Sequence, residues 1–325
     1  MGLLYDLSPD AINGRRVAVL GYGAQGHAHA LNLRDSGASV VIGLPATAAR
    51  RQAALDAGFE VREPALAVAG AEYAALLVPD ETMREAHAAI APALEPGAAL
   101  VFAHGFALHY GQVVPRADCD ALLVAPKGQG RTVRSAFVAG GGVPAIVSAF
   151  QDASGAGRER ALAYAAGLGA GRAGIVEASV AEETEADLFS EQAVLCGGVT
   201  QLVRTGFEVL VEAGYSPEVA YFECLHELKL VVDLLHEGGL SGMHRGISNT
   251  AEYGDRTAGP RLQELPLRKA MREILAGVRS GSFARAWLAE AAAGAPTLAA
   301  EREAEEAHPI ERVGRELRSR MVWGK

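Results

Sequence analysis

The sequence predicts two domains of different class, an α/β domain with a doubly wound parallel sheet over residues 1–180 and an all-helical domain over residues 181–325. Three observations lead there. From Arg16 to about Val176, short and wholly apolar runs alternate with helical stretches, the rhythm of stacked strand-helix-strand units. The first run feeds a glycine-rich turn. Beyond Glu177 the strand signal fades, and segments rich in Ala, Leu and Glu with helical spacing continue to the C-terminus.

The runs at 17–20, 40–42, 74–78, 100–102 and 122–124 are apolar throughout rather than alternating, as befits strands covered by helices on both faces. The first leads into Gly21-Tyr22-Gly23-Ala24-Gln25-Gly26, a GxGxxG turn between a strand and a helix that runs from about Gln25 to Asp35 and stops at Gly37. In that context the turn predicts a dinucleotide site. Its glycines allow a tight bend and close backbone approach, and the helix N-terminus offers free N–H groups and partial positive charge to a pyrophosphate. An Asp or Glu about 20 residues on would hold the ribose of NAD, and none stands at the end of the second run. Thr47, Arg50 and Arg51 stand there instead, a hydroxyl and two cations suited to a ribose 2′-phosphate. A solvated first helical turn would also carry two such arginines. The glycine-rich stretches 155–157 and 167–174 read as turns inside this domain.

In the helical half, Asp187 and Glu191 are four residues apart and so share one helix face. The almost uncharged stretch 193–199 after them reads as a buried helix, so these carboxylates are expected to enter a core, where an unpaired charge is costly. Ser216-Pro217 supplies a capping hydroxyl and a first-turn proline to a helix expected to reach about Glu237 and to stop at Gly238-Gly239. On it Glu223 and Glu227 repeat the spacing amid apolar neighbours. Two such pairs, with Lys229 and Arg204 as the basic residues near in sequence, call for cations. Ligation by oxygen alone suits a hard ion such as Mg²⁺, with room for two ions. Either pair taken singly could equally be surface acids.

Composition narrows the function classes. The 325 residues, half of them apolar, suffice for two buried cores. The net charge of −9 comes without a basic block, which argues against nucleic acid as a partner. No apolar run is read as reaching the roughly 18 to 20 residues needed to cross a bilayer, and no basic start precedes an apolar stretch. The chain is therefore expected to be cytoplasmic, with no membrane partner. Cys119, Cys196 and Cys224 form neither a CxxC pair nor an even framework, and are expected to be packing residues.

Several longer strings coincide: Gly21 to Gly37, Phe102-Ala-His-Gly-Phe106, Ala125-Pro-Lys-Gly128, Glu182 to Gly198, Ala220 to Leu230, Ile247-Ser-Asn-Thr-Ala-Glu-Tyr-Gly254 and the tail from Ile310 to Trp323. Together they resemble the short-form (class I) ketol-acid reductoisomerases, also called acetohydroxyacid isomeroreductases, over nearly the whole chain. The resemblance implies a Rossmann-type domain and a helical domain that intertwines with its partner's in a homodimer with shared active sites, with larger assemblies of dimers in the family. It implies metal ligands at Asp187 and Glu191 from one subunit and at Glu223 and Glu227 from the other. Ser248 would hold the substrate, with Ile247 and Ala251 lining its pocket. His104 and Lys127 match basic residues near the nicotinamide and the metals, Glu227 is a candidate proton carrier, and Asp80 and Gly130 fall in segments that contact the nucleotide. The implied reaction is a Mg²⁺-dependent alkyl migration in 2-acetolactate or 2-aceto-2-hydroxybutyrate, followed by reduction by NADPH to the 2,3-dihydroxy acid, in valine and isoleucine biosynthesis.

The chain departs from the family pattern in places. Pro45 and Ala48 stand where NADP forms carry Arg and Ser, Arg50 takes a position often held by Ser, Met83 replaces Gln, and Gly128-Gln-Gly-Arg131 replaces Gly-Pro-Gly-His. Phosphate recognition would then rest on Thr47, Arg50 and Arg51, or be weak enough for NADH to compete. These departures also fit a paralogue acting on a related substrate in a specialised pathway. Two rival classes are a metal-free hydroxyacid or imine dehydrogenase, which would need no carboxylate pairs, and an idle paralogue, which would be marked by a lost ligand.

Overall fold

The computed structural model describes residues 2–263 and 266–321, so Val322 and Trp323 of the family-like tail lie outside the described residues. The chain divides into two compact units, Met1–Ala186 and Asp187–Lys325.

The first unit is built on one eight-stranded sheet: β1 (Arg16–Leu20), β2 (Ser39–Gly43), β3 (Glu60–Arg62), β4 (Tyr73–Leu76), β5 (Ala99–Phe102), β6 (Asp120–Pro126), β7 (Ala145–Gln151) and β8 (Ile175–Glu177). Their order is β3-β2-β1-β4-β5-β6-β7-β8. Successive side chains enter opposite cores: Val17 and Val19 join one apolar cluster with Val101 and Val124, while Ala18 and Leu20 join another with Phe102 and Leu123. Burial on both faces is why the runs are apolar throughout. The sheet is not wholly parallel, and that expectation needs correction, because β7 runs antiparallel to β6. The connection between them holds a helix that packs on the glycine-turn helix instead of crossing the sheet, so the chain re-enters beside the end where β6 finished. These two helices are α1 (Ala24–Asp35) and α2 (Gly130–Val138).

At the N-terminal ends of the strands, α3 (Gly157–Gly167) carries Arg160, which is wedged under the sheet. Its guanidinium donates to Asp120 Oδ2 (2.6 Å), Gly97 O (2.7 Å) and Glu72 O (2.7 Å) and lies 5.1 Å from the centre of the Tyr73 ring. Asp120 is fully buried. Burial alone would raise its pKa, but the Ser154 N–H and hydroxyl together with Arg160 more than offset this and hold it below the usual carboxylate range. Arg160→Ala should therefore destabilise the protein by about 3–5 kcal/mol, because it strands a buried charge. Guanidinium denaturation reads this directly, and a loss under about 1 kcal/mol would refute it. Since the folded pKa of Asp120 is depressed, its contribution is present above the unfolded value of about 3.9 and is lost as pH falls through the folded one.

In the second unit, the helices around the candidate ligands are α4 (Val180–Ser190), α5 (Gly197–Glu212), α6 (Pro217–Tyr221), α7 (Leu228–Gly246) and α8 (Pro309–Arg320); α4 starts in the first unit. Ser216 caps α6 through its hydroxyl, which accepts from Val219 N. The helix expected from Pro217 to Glu237 is interrupted by a π turn at Phe222–His226, and the break expected at Gly238-Gly239 is a kink with Gly239 at φ 64°, after which helix resumes. Two expectations fail here. The stretch 193–199 is not buried within this chain, since Val194 is 45% and Leu195 64% exposed. Nor is the chain without a run of spanning length: Val180–Glu212 is long and apolar enough to cross a membrane. Arg204 and Glu208 interrupt the apolar stretch of this helix in the sequence.

Candidate active site

Just beyond the C-terminal ends of β1 and β4, where the strand order reverses, the glycine turn is shaped by close backbone approach. Gly21 has φ 97°, and a Cβ there would stand 2.4 Å from Leu77 O. On Gly26 it would meet Gly21 O at 2.3 Å, whereas on Gly23 it would meet nothing. Gly23 caps α1 and leaves the first N–H groups of the helix open to an anion. Ala24 is exposed beside it. Gly130 serves the same turn from α2: a Cβ there would stand 2.1 Å from Ala24 O, so only its missing side chain lets α2 close on the turn, while Gln25 Nε2 donates to Gly128 O at 3.0 Å. Tyr22 is buried, edge-on to Phe59 and His27, and packs beneath the turn.

After β2, Thr47 and Arg50 are exposed. Arg51 is differently employed, donating to Leu44 O (2.8 Å) and Val61 O (3.3 Å), so its guanidinium braces the loop against β3. Asp80 opens the single helical turn Asp80–Thr82 after β4.

His104 follows β5 and Lys127 follows β6, so the parallel register of these neighbours delivers both to the same end of the sheet. Between them sits a residue that the sequence pattern did not single out, Glu183 of α4. Its side chain is 1% exposed, with Oε1 2.7 Å from Lys127 Nζ and Oε2 3.4 Å from His104 Nδ1. Oε2 also accepts from Gly105 N at 3.2 Å, and Gly105 is packed so tightly that a Cβ on it would collide with Thr184 Oγ1. Burial pushes the Glu183 pKa up, but hydrogen bonding and charge from His104 and Lys127 outweigh it and keep the carboxylate ionised. A signal for Glu183 did exist, since it lies four residues before Asp187 and so shares its helix face. Ligand atoms of His104, Glu183 and Asp187 all lie within 4.8 Å of one another.

The other carboxylates are placed differently from expectation. Glu191 opens a π turn, Glu191–Leu195, closed by Cys196 N on Glu191 O at 3.0 Å. Glu223 lies in the second π turn, closed by Glu227 N on Phe222 O at 3.0 Å. Such turns are uncommon and concentrate at functional sites. Glu191, Glu223 and Glu227 are exposed rather than sunk in a core of this chain, because their apolar neighbours are themselves uncovered. Ser248 accepts from Ala251 N at 3.1 Å and caps the next helix, with Ile247 half-buried and Ala251 exposed.

Comparison with known proteins matches residues 11–174 to the acetohydroxy acid isomeroreductase NADPH-binding domain and residues 180–323 to the ketol-acid reductoisomerase C-terminal domain. Among solved structures, an NADH-preferring ketol-acid reductoisomerase from an uncultured archean is 42% identical, with a TM-score of 0.95 over 99% of this chain and 100% of that one. A semialdehyde dehydrogenase NAD-binding protein from Cupriavidus necator (19% identity, TM-score 0.60, 82% of this chain and 99% of that one) shares the fold. So does a pyrroline-5-carboxylate reductase from Coxiella burnetii (12%, TM-score 0.56, 82% and 98%). With both halves matched in order and a relative of this identity spanning nearly the whole chain, the protein belongs to the ketol-acid reductoisomerase family.

Proposed function

We propose that the protein converts 2-acetolactate or 2-aceto-2-hydroxybutyrate to the 2,3-dihydroxy acid with Mg²⁺ and NADPH, NADH being the competing donor, in the cytoplasm. The observation that carries this is the Lys127–Glu183–His104 cluster beside Asp187, at the strand end that also carries the glycine turn. Its carboxylate-rich, thiolate-free donor set suits a hard dication. Asp187 and Glu191, with Glu223 and Glu227 of a second copy, would hold two Mg²⁺ ions, which when bound supply Lewis-acid polarisation of the substrate's oxygens.

In the first half of the reaction the alkyl group moves from C2 to C3, the C2 hydroxyl gives up its proton to become a carbonyl, and the C3 oxygen becomes a hydroxyl. Lys127 is the proton donor at the C3 oxygen, held in place by Glu183, and Glu227 receives the C2 proton. His104 Nδ1 lies 3.4 Å from Glu183 Oε2 and, when protonated, pairs with that carboxylate. In the second half a hydride passes from the reduced dinucleotide to C2 while Glu227 returns its proton to the C2 oxygen, giving the second hydroxyl; this requires the glycine turn and α1 to hold the dinucleotide with its ring facing that carbon. Ser248 holds the substrate carboxylate or hydroxyl, with Ile247 and Ala251 against its alkyl group. The uncovered residues Val194, Leu195 and Leu202 are of the kind a second copy buries in a dimer, and such dimers would pair into larger assemblies.

Thr47 and Arg50 are the residues left to read a 2′-phosphate, since Arg51 is committed to two carbonyls. The test is oxidation of NADPH and of NADH on 2-acetolactate, with graded Mg²⁺ and with EDTA, for wild type and Arg50→Ala. Turnover abolished by EDTA is expected, and turnover that survives it would favour a metal-free dehydrogenase. Arg50→Ala should raise the KM for NADPH about tenfold, the worth of one charge-assisted hydrogen bond, and leave that for NADH unchanged.

A further inference from the structure

We propose that the C-terminal helix α8 is a positioning element for the metal-ligand turn, acting through Tyr221, Gly314 and Arg318. The inference rests on the reading of Glu223 and Glu227 as ligands and adds residues that touch neither metal nor substrate.

Tyr221 ends the five-residue helix α6, and the π turn bearing Glu223 starts at the next residue. It is 4% exposed. Its ring lies against α8 where a Cβ on Gly314 would stand 2.5 Å from Tyr221 Cε2, a contact that only glycine permits. Above it, Arg318 Nη1 donates to the Tyr221 hydroxyl at 3.1 Å, while Nη2 is held by Glu311 Oε2 at 3.0 Å from the same helix. Ile310 and Val313 of α8 complete the seat with Phe207 and Ala220. Tyr221 is thus gripped from both ends, by packing at the ring edge and by a charged donor at the hydroxyl.

The grip matters because the π turn begins at the next residue. A π turn carries one residue more than the α-helix needs and is the less stable form. If it relaxed to α register, the residues after it would rotate by about 100° about the axis relative to Tyr221, and the face that carries Glu227 would turn away from the direction that α8 fixes. An anchor far along the chain, gripping Tyr221, therefore sets the direction in which the carboxylate pair faces. Outer residues that orient ligands typically change metal affinity by about 10–100-fold when lost.

The full-length protein should be titrated calorimetrically with Mg²⁺ alone for wild type, Gly314→Ala, Arg318→Ala, Tyr221→Phe and Glu223→Gln, with NADPH affinity and the thermal midpoint recorded for each. Gly314→Ala and Arg318→Ala are expected to weaken Mg²⁺ binding about tenfold, and Tyr221→Phe about threefold, with NADPH affinity within about twofold of wild type. Arg318→Lys, which keeps the donor, should recover part of the loss. Mg²⁺ affinity unchanged in all three, with only the thermal midpoint lowered, would overturn the positioning role while Glu223→Gln still loses metal. If Glu223→Gln itself binds Mg²⁺ like wild type, the ligand assignment fails and the inference falls with it.

Discussion

Asp187→Asn is expected to lower kcat on 2-acetolactate by about a thousandfold at saturating Mg²⁺. The carboxylate lies one helical turn beyond Glu183, and its ligand atom is within 4.8 Å of those of Glu183 and His104. Asparagine keeps the shape but removes the charge a hard dication needs. Metal polarisation of a reacting oxygen contributes several kcal/mol to the transition state, and about 4 kcal/mol corresponds to about a thousandfold in rate. Affinity for NADPH, proposed to bind at the glycine turn, should stay within about twofold. Steady-state kinetics with a fluorescence titration of NADPH separates the two, and a variant retaining about a tenth of wild-type turnover would remove Asp187 from the ligand set.

Lys127→Arg should be nearly as damaging to kcat, by about a hundredfold or more, while leaving the fold intact. Lys127 is 2.7 Å from a carboxylate that is 1% exposed, so an apolar replacement would leave Glu183 buried without its nearest cation and confuse catalysis with stability. Arginine keeps the charge. Its guanidinium does not release a proton in any ordinary pH range, so it can pair with Glu183 but cannot act as the acid, and general acid catalysis contributes about 10²–10⁴-fold. The check is kcat together with the thermal midpoint. A stable Arg variant with full kcat would reduce Lys127 to a fixed charge, and an unstable one would show that the single point charge of lysine is what the cluster tolerates.

How far the sequence could be read depended on how local each cause was. The glycine turn was legible because its determinants lie within Gly21 to Gly26 and are backbone requirements: a positive φ at Gly21 and the close approach of Gly26 to Gly21 O. Asp187 and Glu223 stood out as candidate ligands through spacing alone. Glu183 could have been found by extending that spacing one turn backwards, but its meaning comes from Lys127 and His104, brought to it by neighbouring strands. The bracing of the loop by Arg51 was not legible, because its two carbonyl partners, Leu44 and Val61, meet only once β2 pairs with β3. The short edge strands β3 and β8, of three residues each, carry too little pattern to register.

By itself, the sequence determined the two domain classes, the glycine turn and the identity of the candidate acidic ligands, since these follow from short runs that are apolar throughout, from helical spacing and from side-chain chemistry. Tertiary structure alone decided the reversed direction of β7, the ionised state of Glu183 in a buried site, the two π turns, and the gripping of one of them by Tyr221, Gly314 and Arg318. Each of these is a balance between contacts made by residues far apart in the chain, in which packing and charge outweigh the local preference for a parallel strand, a protonated buried acid or a regular α-helix.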